Sequence, residues 1–246
     1  MNASSKKQKL LGIGTSYKTI KSEKVGVLTG ILYMAPYNLS GKNVCPNASA
    51  GCAAACLNTS GRGAMHVVQA ARLKKTQRFF EDRQQFLWDL VNEIRALKRK
   101  AHQRGMKAAV RLNGTSDLPY EKYKIGDTGK NIMEMFPDIQ FYDYTKLETR
   151  ITKGQLPANY HLTFSRAEDN DHKLDDVLKH TSAAVVFSGH LPATWRGYPV
   201  IDGDEHDARF TDAGPGTVIG LLVKGRGKKD TTGFVVPSHG TDSTWN

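Results

Sequence analysis

Cysteine is scarce in this sequence, and long hydrophobic runs are absent. Only 3 of the 246 residues are cysteine, and an odd number cannot all pair as disulfides within one chain. No apolar run approaches the roughly 20 residues that a membrane-spanning helix requires. The basic N-terminus is followed by an apolar stretch, Leu10 to Gly14, that is too short for the hydrophobic region of a secretory signal. We therefore expect a cytoplasmic protein with no membrane contact.

The sequence also has no internal repeat, low-complexity tract or Pro/Gly-rich linker that would divide it. Hydrophobic residues make up 39% and charged residues 24% of the chain, which is a typical globular balance. We predict a basic N-terminal arm over residues 1–24 that packs against one domain over residues 25–246.

Acidic residues are outnumbered by basic ones, 24 to 35, and the net charge is +11. Such a surface attracts polyanions, so nucleic acid is a candidate partner. The charge is spread over the N-terminal segment, the region 72–104 and Lys224–Lys229. Solvated helix faces, together with an anionic small molecule or a redox partner, explain the positive charge equally well. The basic segments also lack the interleaved aromatic residues on which single-stranded nucleic acid stacks.

The first half of the chain combines one early strand with long helical sequence. Val25–Met34 is apolar and β-branched, and this composition favours a strand or hairpin. Helical patterns follow over 64–80 and 81–103, and the second continues in the register of the first. Gly105 is a typical C-terminal cap. The second pattern has an apolar stripe at spacings of three and four, formed by Phe86, Leu90, Ile94 and Leu97.

Short apolar strands then recur, separated by the candidate helical segments 120–136, 145–155 and 171–180. Alternating strand and helix predicts βα units and a parallel sheet. The fold class is therefore α/β, with a complete or partial (β/α) barrel of the TIM type as the preferred closure and an open doubly wound sheet as the alternative. The predicted strands are 107–112, 139–144, 160–165, 183–187, 199–202 and 218–223.

Bursts of polar residues follow several of these strands. In (β/α) proteins functional groups gather at the carboxyl ends of the strands, so we expect the bursts to share one site. The last burst suits a divalent cation, although a strand-end turn with paired carboxylates is the favoured interpretation. The bursts are Asn113–Asp117, Asp143–Lys146, Ser165–Glu168 and Asp202–Asp207.

The cysteines cluster within twelve positions, with the spacing C-x6-C-x3-C, as Cys45, Cys52 and Cys56. The Gly, Ala and Ser residues between them allow backbone amides to approach the sulfurs, as at iron–sulfur clusters. A zinc ion usually draws a fourth ligand, often from a closely spaced pair, and none stands nearby. We therefore favour a cluster over zinc, and zinc over reduced structural thiols.

A cluster with three protein ligands leaves one iron for another group. Candidate side-chain ligands are Asn43, Asn58, His66 and Asp117, and a substrate or cofactor is the alternative. The planar fork of Arg166 suits carboxylate or phosphate, and Lys146 suits a base or an anion holder, or an ion-pair partner of Asp143. We predict that a cofactor pocket beside the cluster is lined by Asn113, Thr115, Asp117, Asp143, Lys146, Ser165 and Arg166.

Several stretches resemble the phage protein family known as gene product eighty-eight. The cysteine segment 45–63 carries the resemblance, with Arg111–Asp117, Phe141–Lys146, Asn159–Arg166 and Val200–Asp204. It covers roughly residues 25–236 and implies a phage origin, hence the cytoplasm of an infected bacterial host. It implies no activity.

A looser resemblance is to radical S-adenosylmethionine enzymes, in which a three-cysteine loop after the first strand of a partial (β/α) barrel binds a [4Fe-4S] cluster. This resemblance implies that the open iron chelates S-adenosylmethionine. The spacing differs from the usual C-x3-C-x2-C, and Arg111–Asp117 stands where a Gly-Gly-Glu motif is expected.

We therefore expect an iron–sulfur protein with one [4Fe-4S] cluster, used in electron transfer or in radical S-adenosylmethionine-like chemistry. The competing expectation is a basic nucleic-acid-binding protein whose cysteines hold a structural zinc.

Overall fold

Ten strands form one sheet in the computed structural model, which describes residues 8–14, 17–211 and 214–238. The sheet order is β1-β2-β3-β4-β5-β6-β9-β8-β7, and β10 pairs with β6. The β1–β2 and β7–β8 pairs are antiparallel, and the other pairs are parallel. Strands β1 and β7 end the path and do not pair with each other in the described part of the chain. The strands are β1 Leu11–Ile13, β2 Val27–Leu32, β3 Lys107–Arg111, β4 Gln140–Thr145, β5 Tyr160–Ser165, β6 Ala183–Ser188, β7 Thr194–Trp195, β8 Tyr198–Asp202, β9 Val218–Leu222 and β10 Val235–Pro237.

The α/β class is confirmed, and each predicted strand is present within one or two residues of its predicted bounds, including the early one, which forms β2. The short strands β1, β7 and β10 lie outside those predictions. Strand β1 belongs to the predicted arm, where Leu10 and Leu11 are fully buried.

Two long helices cover one face of the sheet, α3 His66–Glu81 and α4 Arg83–Gln103. The prediction that they continue in one register is wrong. Asp82 has φ −142° and ψ 79°, and its carboxylate accepts a hydrogen bond from the backbone N–H of Gln85 as an N-cap. The predicted apolar stripe of α4 is confirmed as buried core.

The candidate helical segment 120–136 contains no α-helix, because the chain there forms 3-10 turns at Tyr120–Lys122 and Gly126–Thr128. Gly126 and Gly129 both have positive φ, which a right-handed helix cannot contain. The remaining helices are short: α1 Tyr17–Glu23, α2 Ala50–Ala54, α5 Thr149–Thr152 and α6 Leu174–Val177. In the described ranges, every helix is too short or too polar to cross a bilayer.

The parallel strands place their carboxyl ends along one edge of the sheet. The loop 33–65 after β2 and the loops after β3, β4 and β5 begin at that edge. The larger core packs α3 and α4 against β2–β5, and a smaller apolar cluster lies elsewhere, formed by Val27, Ala109, Tyr142, Ala208 and Phe210.

Candidate metal centre

The loop between β2 and α3 carries all three cysteines. Cys52 lies in the short helix α2, whose N-cap Ser49 accepts a hydrogen bond from the backbone N–H of Cys52. Cys56 precedes a 3-10 turn over Leu57–Thr59. The backbone N–H of Cys45 donates to Oδ1 of Asn43 at 2.8 Å. Short polar side chains therefore shape the backbone around the thiols.

Each sulfur atom has an N–H group or an ammonium group nearby. The backbone N–H of Tyr37 donates to Sγ of Cys45 at 3.3 Å. The ammonium group of Lys146 lies close enough to Cys52 to lower its pKa, and the backbone N–H of Asn58 does the same for Cys56. Donors of this kind stabilise negative charge on sulfur.

The three thiols are half-buried, and none forms a disulfide. Burial raises the pKa of Cys45 to about 12, against the lowering effect of the Tyr37 N–H, and Cys56 and Cys52 raise it further. Burial likewise raises the pKa of Cys52 and of Cys56. Because the pKa of Cys45 responds to Cys52 and Cys56, and the pKa of Cys56 responds to Cys52, the three sulfurs share one environment. At neutral pH all three are protonated, and a bound metal centre would displace the protons.

The donor set consists of soft sulfur ligands, which suit zinc or an iron–sulfur cluster rather than a hard cation. Within the described ranges, no three His, Cys, Asp or Glu side chains lie close enough together to ligate one metal ion. A polynuclear cluster binds each thiolate to a different iron atom, so its ligands stand farther apart. The finding for a single ion therefore does not test a cluster, which stays a prediction.

Lys146 and Ser165 lie beside Cys52. Lys146 is only 9% exposed, and its Nζ donates to Oγ of Ser165 at 2.9 Å. The same ammonium group lies 5.3 Å from the centre of the Phe234 ring. The ends of β4 and β5 therefore place a buried positive charge at the cysteine loop, as the strand-end pattern predicts.

Thr115 and Asp117 bring the end of β3 to the same place. The backbone oxygen of Thr115 accepts from Sγ of Cys45 at 3.6 Å, and its hydroxyl donates to Met34 O. The carboxylate of Asp117 accepts from the backbone N–H of Lys146 and from Arg150, and it raises the pKa of Cys45 and Cys52. Three of the four polar bursts thus contribute residues around the cysteines.

Asn113 and Asp143 lie deeper, 3% and 0% exposed. Asp143 accepts hydrogen bonds from the backbone N–H of Asn113 at 2.7 Å and from the hydroxyl of Tyr160 at 3.0 Å. These contacts join β3, β4 and β5 beneath the cysteine loop. Their predicted role in cofactor binding stays a prediction.

Arg166 follows β5 directly and is 8% exposed. Its guanidinium donates to Asp171 and to the backbone oxygens of Gly233 and Phe234. It therefore holds the C-terminal segment that places Phe234 over Lys146.

The predicted candidates for a fourth ligand differ in availability. Asn58 is 3% exposed, and its Oδ1 accepts from Arg72. Asp117 is engaged by Lys146 and Arg150. Asn43 and His66 are exposed.

The fourth burst forms a strand-end turn with paired carboxylates. Asp204 pairs with Lys224 at 2.8 Å, and Asp207 pairs with Arg111 at 3.1 Å. Asp202 accepts from the backbone N–H of Asp204. The favoured interpretation of this segment agrees with these contacts.

Sequence reasoning missed Arg72 and Phe234. Arg72 is 8% exposed, lies 4.8 Å from the centre of the Tyr33 ring and lowers the pKa of Cys56. The buried residues of α3 are Arg72, Thr76 and Phe79, and a charged residue on a buried helix stripe is a signal of a special position. The sequence around Phe234 has no comparable feature that would indicate its place beside Lys146.

Comparison with known proteins places the chain in a family without transferring a residue role. No curated protein matches it. No solved structure matches it either. The family model of gene product 88 matches residues 5–238. The chain therefore belongs to the gene product 88 family.

Proposed function

We propose that this chain is an iron–sulfur protein that binds one [4Fe-4S] cluster through Cys45, Cys52 and Cys56. The observation that carries the proposal is the arrangement of the three thiols at the carboxyl edge of a parallel sheet. Cys45 accepts a hydrogen bond from the backbone N–H of Tyr37 at 3.3 Å. The Lys146 ammonium group and the Asn58 N–H act as donors toward Cys52 and Cys56 and lower their pKa values. Structural thiols in a core have no need of such donors.

The surrounding residues stabilise charge on the sulfurs and hold the loop. A bound cluster exchanges one electron at a time and offers one iron without a cysteine ligand. The two amides and the ammonium group of Lys146 offset the negative charge of the thiolates. Lys146 and Ser165, at the ends of neighbouring strands, would orient an anionic molecule that approaches Cys52.

We also propose that the sheet curves into a partial or complete (β/α) barrel. Strand β8 is six steps from β2 in the sheet order, which is roughly 29 Å in a flat sheet. Yet Nζ of Lys21, in α1 just before β2, donates to the backbone oxygen of Asp204, two residues past β8. Ala208 and Phe210 also pack with Val27 and Tyr142. A sheet whose far strands approach in this way must curl strongly.

A structural zinc in a nucleic-acid-binding protein is the second candidate. The net charge of +11 favours it. The spacing of potential ligands in the described chain opposes it, because no three of them suit one ion. Metal analysis separates the two candidates.

The test is anaerobic purification followed by iron, sulfide and zinc analysis. We expect about four irons and four sulfides per chain in the wild type, and loss of both in Cys52→Ser. The matched control is Ala54→Ser, which adds a hydroxyl to an exposed position of the same loop and should retain the cluster. Stoichiometric zinc without sulfide would refute the cluster.

Electron paramagnetic resonance of the reduced protein then distinguishes the two uses of a cluster. A spectrum altered by S-adenosylmethionine supports radical S-adenosylmethionine-like chemistry, with Lys146 and Ser165 beside the cofactor. An unaltered spectrum supports electron transfer.

A further inference from the structure

Three large apolar side chains are exposed on the cysteine loop and at the start of α3. Leu57 is 58% exposed, Met65 is 52% exposed and Val67 is 69% exposed. All three lie within eleven residues of Cys56 along the chain. Large apolar side chains that gather on a surface mark interaction sites more often than scattered ones do.

Four cations accompany these apolar residues. Arg62 lies between Leu57 and Met65, and Arg226, Lys228 and Lys229 lie on the 3-10 turn Gly225–Lys229. All four are exposed. None makes an ion pair or a side-chain hydrogen bond with another described residue, whereas the neighbouring Lys224 pairs with Asp204 at 2.8 Å. These charges are therefore available to a partner.

The turn and the cysteine loop are in direct contact. A Cβ on Gly225 would lie 2.7 Å from Cβ of Ser60, and a Cβ on Gly227 would lie 3.3 Å from Cβ of Ala55. The turn that carries three of the cations therefore packs against the loop that carries Cys56, Leu57 and Arg62. We call these exposed residues the loop patch: Leu57, Arg62, Met65, Val67, Arg226, Lys228 and Lys229.

We infer that the loop patch docks a small acidic electron-carrier protein, an inference that rests on the proposed cluster. Protein interfaces combine an apolar centre with a charged rim, and redox encounters are small and electrostatically steered. Nucleic acid would need the cations but not the exposed Leu57, Met65 and Val67, because most of its contacts are to phosphate and sugar. One electron passes between the carrier and the cluster, one is oxidised as the other is reduced, and no bond changes.

The test uses the cluster-loaded full chain and a plant-type [2Fe-2S] ferredoxin as the acidic probe. Stopped-flow absorbance follows electron exchange between them, in whichever direction their potentials favour, at low and high salt. Dithionite is the small-molecule reductant that reports on the cluster without docking. The variant reverses two charges of the patch, Arg226→Glu with Lys229→Glu.

The matched control is Arg99→Glu with Lys100→Glu, which makes the same charge change on an exposed part of α4. Those residues lie near the end of α4 that leads into the amino end of β3, away from the cysteine edge. A second variant, Leu57→Ser with Val67→Ser, tests the apolar part.

We expect the second-order rate constant with ferredoxin to fall with salt and to fall about tenfold or more in the patch charge variant at low salt. The control should change it by less than about threefold, and the apolar variant should weaken exchange without changing the salt dependence. Reduction by dithionite should be equal in all proteins. Equal ferredoxin rates in the patch variants and the control would overturn the docking surface while leaving the cluster intact.

Two other outcomes would also overturn the inference. A protein that binds no cluster shows no change with dithionite, which refutes the proposed function itself. Salt-sensitive binding of a short DNA duplex that the patch charge variant abolishes, with unchanged ferredoxin exchange, would assign the patch to nucleic acid.

Discussion

The backbone N–H of Gly51 donates a 2.7 Å hydrogen bond to the carboxylate of Glu168. The other carboxylate oxygen accepts from the hydroxyl of Ser49, also at 2.7 Å. Glu168 follows β5, and Gly51 precedes Cys52 by one residue. Burial raises the pKa of Glu168, but hydrogen bonds, first those from Gly51 and Ser49, bring it below its usual value, so the carboxylate stays ionised at neutral pH. The contact ties the cysteine-bearing helix α2 to the edge of the sheet.

Glu168→Ala should therefore destabilise the loop and the chain. Hydrogen bonds to an ionised group contribute about 1.5–3 kcal/mol, so we expect a loss of that order in the free energy of unfolding. Glu168→Gln keeps one acceptor and should lose less. Urea unfolding without metal measures this, and Asp169→Ala, at an exposed neighbour, is the control. A loss no larger than that of the control would show that the contact does not hold the loop.

Gly51→Ala should be destabilising because the position has no room for a methyl group. A Cβ there would lie 2.1 Å from Oγ1 of Thr232 and 2.6 Å from Cβ of Phe234. Overpacking of this kind costs about 1–3 kcal/mol. The matched control is Gly214→Ala, where nothing lies within 4 Å of the added carbon. Thermal unfolding of both variants tests the difference, and an unchanged midpoint in Gly51→Ala would refute the crowding.

Much of the fold follows from local sequence pattern. Strands β5 and β6 have six residues each and are mostly apolar, and a pattern of that length can be recognised in the sequence. Strands β1, β7 and β10 have two or three residues each, too few to carry a period. The break between α3 and α4 depends on Asp82 acting as an N-cap. The sequence does not reveal this, because a polar residue at that position is equally compatible with a continuous helix.

The site was predictable as far as topology brings residues together. Parallel strands share one carboxyl edge, so Thr115, Asp117 and Lys146 were expected near the cysteines. The Tyr37 donor depends on a loop conformation with φ +52°, and the Lys146 contact with Phe234 joins residues far apart in sequence. Neither the Tyr37 donor nor the contact between Lys146 and Phe234 could be predicted from a hydrophobic periodicity or a sequence motif.

Lys146→Met should lower the reduction potential of the proposed cluster. The buried ammonium group beside Cys52 stabilises the more negative, reduced state. A unit charge about 4 Å away contributes roughly 1–4 kcal/mol, which is roughly 40–170 mV for one electron. Lys146→Arg keeps the charge and should stay close to the wild type. Electrochemical titration measures the midpoints, and equal values in Lys146→Met and the wild type would show that the charge does not act on the cluster.

Asp143 should make the chain less stable as the pH rises. Burial raises its pKa to about 7, although Arg111 and the Asn113 N–H act to lower it. The folded state then holds a proton that the unfolded state releases near pH 4, so this contribution to stability is complete below pH 4 and is lost as the pH rises through 7. The loss reaches at most roughly 4 kcal/mol.

Asp143→Asn cannot ionise, so the wild type should lose stability relative to this variant between pH 4.5 and pH 7.5. Urea unfolding of the two metal-free proteins across that range tests the sign, because other titrating groups cancel in the difference. Parallel pH profiles would mean that Asp143 is ionised throughout, held by Arg111 and its hydrogen-bond donors.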